Sequence, residues 1–175
     1  IFFSQKGPGA MHAPWLISLA AGLVVGGLSQ VSRLCTVGGF RDLFLFKKSI
    51  LIFGYLAVLI GVFVVNISFG NFHLGFENQP IAHTDGLWNF LGMALAGFCS
   101  VLLGGCPLRQ LIMTGEGNSD SAVTVLGLAA GAAFAHNFGL AASGAGPTLN
   151  GQIAVGVGFV VALIIAILNT KRANA

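Results

Sequence analysis

Between Lys48 and Glu77 the sequence carries no Asp, Glu, Lys or Arg, and the same holds between Asp120 and Lys171. Runs of that length leave little choice of environment. In hydrocarbon every backbone N–H and C=O must be paired within the protein, so a crossing segment is a helix or part of a closed barrel. A spanning helix needs about 20 mostly apolar residues. Five stretches fit: 13–31, 49–69, 87–103, 122–138 and 152–168. The expected fold class is all-α, a polytopic transmembrane helical bundle. The third and fourth stretches are short and border Gly-rich segments, the pattern of broken helices with loops buried in the membrane. Composition agrees: 7% of residues are charged and 55% hydrophobic, against about 25% charged in a typical soluble domain.

The basic residues orient this arrangement. Arg33, Arg41, Lys47 and Lys48 fall between the first two stretches, Arg109 between the third and fourth, and Lys171 and Arg172 after the fifth. With five spans these seven share one side and Lys6 is on the other. The positive-inside rule makes the first side cytoplasmic, with the segments 70–86 and 139–151 facing outward. Trp15 and Trp88 each open a span from the outer side, where interfacial tryptophans belong. The chain begins with Ile1 and shows no signal-peptide pattern. It is expected to be a single membrane domain over 1–175, cut from something longer.

Three cysteines, Cys35, Cys99 and Cys106, form no CxxC pair and no zinc pattern. A disulfide scaffold and a structural metal are therefore not expected, and no cofactor is implied. Two of the three occupy breaks. In SRLCTVGGFRD, Cys35 is followed by Gly38, Gly39, Arg41 and Asp42; in GGCPLRQ, Cys106 lies between Gly104–Gly105 and Pro107, with Arg109 within a turn. Glycine admits backbone conformations that other residues resist. Proline suits the first turn of a helix. Each break should lead into a helix start, near Arg41–Asp42 in the first case, and helix N-termini attract anions. A neutral thiol is a weak donor, suited to an anion that must be held loosely enough to leave. The two segments also form a weak internal repeat.

Plainer readings stand beside these. A cysteine inside an apolar helix is usually a packing residue, and Cys99 is read so. Arg33, Lys47 and Lys48 read as topology anchors, whereas Arg41 and Arg109 fit an anchor or a site equally. His136 and Asn137, in HNFGLAASGAGP, could serve an anion or close a helix end. His73 and His83 are expected to be solvated. Ser119 or Asp120 is expected to cap the fourth helix. A cation carrier fits poorly, since no span interior holds Asp or Glu.

The motifs SRLCTVGGFRD, LLGGCPLRQL and HNFGLAASGAGP resemble the YeeE/YedE family of bacterial inner-membrane proteins linked to sulfur transport. The last two are more similar to the YedE branch, associated with selenium, than to the YeeE branch, associated with thiosulfate. The resemblance runs from about Met11 onward. It implies a sulfur or selenium substrate and a role for Cys35 and Cys106 in hydrogen-bonding the passing anion. It also implies a chain about twice as long, of which this would be the C-terminal half.

The expected function is a permease for a small sulfur- or selenium-containing anion, passed along by cysteine thiols. No covalent reaction is required. Its substrate contacts would be Cys35, Cys106, Gly38, Gly39, Gly104, Gly105, Pro107, Arg41, Arg109, His136 and Asn137. The alternative is a membrane thiol carrier that handles sulfur or selenium through a reactive cysteine. Expected partners are the anion, the lipid bilayer and a cytoplasmic sulfur- or selenium-carrier protein; nucleic acid is not expected.

Overall fold

Helices form wherever the sequence is apolar and end wherever glycine, proline or a polar cap intervenes. The computed structural model describes residues 13–70, 72, 74, 75 and 83–173. Lys6 and His73 lie outside the described residues. The chain divides into two units, residues 1–33 and 34–175.

The first unit holds α1 (Trp15–Ser32). Pro14 precedes the helix, and its carbonyl accepts from the Ser18 N–H at 3.1 Å. The helix ends on Arg33, whose φ of 51° is left-handed and whose N–H turns back to the Gln30 carbonyl.

The second unit holds α2 (Thr36–Phe46), α3 (Ile50–Ser68), α4 (Gly86–Leu102), α5 (Pro107–Gly115), α6 (Ser119–Asn137) and α7 (Leu149–Ala173). Helix α2 packs on α3 and touches α4; α4 packs on α7, and α5 on α6. Among the described residues there is no strand, only an isolated bridge between Ser143 and Gly146. The chain is thus the all-α bundle that its apolar runs dictate.

Four helical stretches are long and apolar enough to cross a membrane: Trp15–Phe46, Ile50–Ser68, Gly86–Gly115 and Leu149–Thr170. Two of them are interrupted, one before α2 and one between α4 and α5. Helix α6 covers the expected fourth span but does not join this set. Its sequence is rich in Ala and Gly and ends in His136–Asn137, so it is less apolar than the others.

The interior is small. The described residues that are buried and apolar are Cys106 and Ala162; the buried polar ones are Ser29, Ser100, Gln110 and Ser121. Leucine, isoleucine, valine and phenylalanine side chains point outward along every long helix. In water such a surface would drive association. Against lipid tails it carries no penalty, and helix contacts fall to small and polar residues. Ser100 and Thr114 fit that rule, each hydroxyl donating to the carbonyl one turn back at 2.8 Å.

Candidate functional site: two helix starts that share a thiol pair

The first break is shorter than its glycines imply. Helix α2 begins at Thr36 rather than near Arg41–Asp42, and Cys35 is its N-cap residue. Gly38 and Gly39 therefore lie inside the first turn and do not make the bend. Their service is close approach. A side chain at Gly38 would meet the Cys35 side chain at 3.3 Å, and one at Gly39 would meet the Leu51–Ile52 backbone of α3. The cap is a thiol instead of a hydroxyl: the Gly38 N–H donates to Cys35 Sγ at 3.3 Å.

The second break is made by Gly104. Helix α4 winds down through bonds from Leu103 N–H to the Cys99 carbonyl and from Gly105 N–H to the Ser100 carbonyl. Gly104 adopts φ 74°, the left-handed conformation that an L side chain resists. Cys106 then runs extended as the N-cap of α5, and Pro107 takes the first helical position, where a missing N–H costs nothing. Gln110 locks this turn. It is 5% exposed, and its Nε2 donates to the Leu103 carbonyl at 2.9 Å. Sequence reading passed over Gln110, although a long amide one turn after Gly-Gly-Cys-Pro could have marked a side chain reaching back to an orphan carbonyl. Gln110→Leu should lower stability by about 1–3 kcal/mol, because the part-buried Leu103 carbonyl would lose its side-chain donor. An unchanged melting temperature of the purified protein would refute that role.

The Cys35 sulfur accepts the Gly38 N–H of α2, and Cys106, the cap of α5, lies close enough to bear on it electrostatically. Cys106 is 7% exposed, whereas Cys35 is half-buried. Two helix starts, each with a cysteine as its N-cap residue, thus lie near one another. Helix starts carry partial positive charge, so this is a place where negative charge is favoured.

The arginines flank the pair but are not free. Arg41 is exposed and places Nε and Nη2 on Asp42 Oδ1 at 3.0 and 2.9 Å. It also lines a cavity of about 420 Å³ that α2 shares with Gly97, Val101 and Gly104. Arg109 reaches Glu116 across 3.7 Å, and its buried Nη1 has no hydrogen-bond partner. His136 and Asn137 occupy the exposed last turn of α6 and share no hydrogen bond with the cysteine pair among the described residues.

A third break, after α6, is tied by side chains not singled out from sequence. Thr148 Oγ1 donates to the Gly139 carbonyl at 2.7 Å and accepts from the Gly151 N–H at 3.0 Å. Asn150 Nδ2 donates to the Phe138 carbonyl at 3.1 Å. Cys99 lines an apolar cavity of about 1060 Å³ bounded by α4, α6 and α7, in keeping with a packing role. Two expectations are corrected. The cap of α6 is Asn118, whose Oδ1 accepts from the Ser121 N–H at 2.9 Å, because it stands one residue ahead of Ser119 and Asp120. His83 is not simply solvated: its Nδ1 is buried without a partner where its loop borders residues 144–147.

No group of three His, Cys, Asp or Glu among the described residues could hold a metal ion. A family model described as sulphur transport matches residues 31–172, which include all three breaks. The chain is 30% identical over 111 residues to the thiosulfate transporter TsuA of Escherichia coli (strain K12). That alignment takes up 61% of this chain and 30% of the relative, so the chain spans less than a third of that relative's length. No solved structure matches. With its long apolar helices, the chain is a multi-pass membrane protein that belongs to the sulphur transport (YeeE/YedE) family.

Proposed function

We propose that the chain forms part of a permease for a small sulfur oxyanion of the thiosulfate class, with Cys35 and Cys106 as the contacts at its constriction. The observation that carries this reading is that two helix starts are each capped by a free cysteine, Cys35 at α2 and Cys106 at α5, with the Cys35 sulfur accepting the Gly38 N–H. An oxyanion arriving there would exchange water for N–H and S–H donors. Bonds to a charged acceptor are roughly twice as strong as neutral ones. Of the two arginines, Arg41 is paired with Asp42, whereas Arg109 lies 3.7 Å from Glu116 and keeps a buried Nη1 without a hydrogen-bond partner. Weak thiol donors favour the anion without trapping it, as permeation requires. The relative's name, thiosulfate transporter, supports the substrate class.

The protein would lie in the bacterial inner membrane, with the basic segments at 33–48 and 109 and the C-terminus in the cytoplasm. A cytoplasmic sulfur- or selenium-carrier protein would receive what is delivered. Uptake of labelled thiosulfate by cells lacking their other importers tests the reading, with the full-length protein expressed. Uptake that unlabelled thiosulfate suppresses is the expected result. Suppression by selenite or selenate alone would shift the substrate to selenium, and no uptake at all would refute the permease.

This orientation needs α6, which packs on α5, as a fifth crossing. Gly117→Cys and Gly144→Cys should then lie on opposite sides. An impermeant maleimide added to intact cells should label the second above the native background and spare the first. Equal labelling of both would remove α6 from the crossing set.

A further inference from the structure

We infer that His83 and Gln152 form an entry site for the oxyanion at the outer end of the path, separate from the cysteine breaks. The inference rests on the permease reading for its substrate class and for which end faces outward. The loop at 83–85 is tied to the start of α4: Asp85 Oδ1 accepts from the Trp88 N–H at 3.4 Å, and Asn89 Nδ2 donates to the His83 carbonyl at 3.2 Å. The loop after α6 folds back on itself, with Ser143 and Gly146 exchanging backbone hydrogen bonds of 3.1 and 3.0 Å. Helix α7 packs on α4 and carries Gln152 near its start. Between these segments lies a polar cavity of about 250 Å³, lined by His83, Thr84, Asp85, Gln152 and residues 144–147. A second cavity of about 270 Å³ adjoins it between α4 and α7, and His83, Pro147 and Gln152 line both. At roughly 30 Å³ per water, the polar cavity has room for about eight waters, which suits a small hydrated oxyanion and excludes a large solute.

Among the described residues, the buried side-chain nitrogens without a hydrogen-bond partner are Arg109 Nη1 and His83 Nδ1. Arg109 follows the second break, and His83 stands at the other end of α4. A buried ring nitrogen is left unpaired at a cost. An oxyanion oxygen that accepts from it removes that cost through a strong, charge-assisted bond. The nitrogen donates when it carries the ring proton. A half-turn about χ2, a broad two-fold torsion in histidine, exchanges the ring edges and brings Nδ1 to the cavity. The Gln152 amide adds N–H donors to the same two cavities. Asp85 supplies a carboxylate to this wall, but its Oδ1 is held on the Trp88 N–H at the helix start. Helix α4 has 17 residues and is about 25 Å long at 1.5 Å per residue, with the second break beyond its far end. An anion from outside therefore meets His83 and Gln152 first and the thiols about 25 Å further on. The entry site sets the affinity of capture, and the breaks set the rate of passage.

The test uses labelled thiosulfate on the full-length protein, in equilibrium binding to purified protein and in initial rates of uptake by cells. His83→Leu should raise both the dissociation constant and the half-saturation concentration about tenfold, the factor for one hydrogen bond to a charged group, and keep the maximal rate. Gln152→Leu should shift both constants in the same direction. His83→Asn keeps a side-chain N–H close to the Nδ1 position and should recover most of the affinity, a rescue that a purely structural histidine would not show. Unchanged constants in His83→Leu and Gln152→Leu would overturn the inference. So would a fall in maximal rate alone, or no thiosulfate binding by the intact protein. If His83→Leu does not reach the membrane, Gln152→Leu decides by itself. Binding is read independently of transport. Thiosulfate binding that His83→Leu weakens supports the entry site even where uptake is absent, and in that case the permease reading alone fails.

Discussion

Thiosulfate uptake should fall about 10- to 100-fold when either Cys35 or Cys106 is replaced by alanine, with the protein still present in the membrane at wild-type level. The magnitude follows from hydrogen bonds to charged groups, worth about 1.5–3 kcal/mol each, at about 1.4 kcal/mol per factor of ten. The two losses differ in kind. Cys106 is buried in the second break, so its truncation also leaves a small void beside Gly105 and Gln110. Cys35 is the N-cap of α2, and Cys35→Ala removes the acceptor for the Gly38 N–H as well as a substrate donor. Cys35→Ser separates these effects. A hydroxyl keeps the cap and is the better donor, so helix α2 should stay intact while uptake changes. If both thiols serve one constriction, as proposed, the double variant should lose little more than either single one. Full additivity would mean two separate contact points along the path, and unchanged uptake in both single variants would end the thiol mechanism.

The largest structural effect is expected at Gly151. A side chain there would lie 2.6 Å from the Leu140 carbonyl oxygen and 3.0 Å from Thr148 Oγ1. The closer of these is backbone and cannot swing away, and the hydroxyl is already bonded to Gly139. Gly151→Ala should therefore push α7 away from the loop that follows α6. Overpacking of this kind costs about 1–3 kcal/mol, which should lower the melting temperature of the detergent-solubilised protein. Gly104→Ala loses stability for a different reason: its φ of 74° is strained for any L side chain, costing roughly 1–2 kcal/mol. Gly127→Ala is the control. It lies within α6 with open space around it, and there alanine should be neutral or gain up to about 1 kcal/mol. Equal melting temperatures for Gly151→Ala and Gly127→Ala would refute the close approach at α7.

Much of this protein could be read without coordinates. Long uncharged runs demand helices, since nothing else satisfies the backbone in hydrocarbon. The helices appear at each of the five stretches, within a few residues of the expected limits. The Gly-Gly-Cys-Pro break was equally legible, because proline and glycine act locally on the chain that bears them. The start of α2 was misread for the same local reason: two glycines in sequence looked like a bend, yet the Cys35 cap begins the helix ahead of them. The sequence by itself determined the class of environment, the all-helical architecture and the places where helices stop. Only the tertiary structure decided that the two cysteine breaks lie near one another, that Gln110 ties the second one and that Arg109 keeps a buried nitrogen without a hydrogen-bond partner. Such facts depend on how α2, α4 and α5 pack. Packing brings together residues far apart along the chain, and no local pattern of apolar and polar residues records which break will face which.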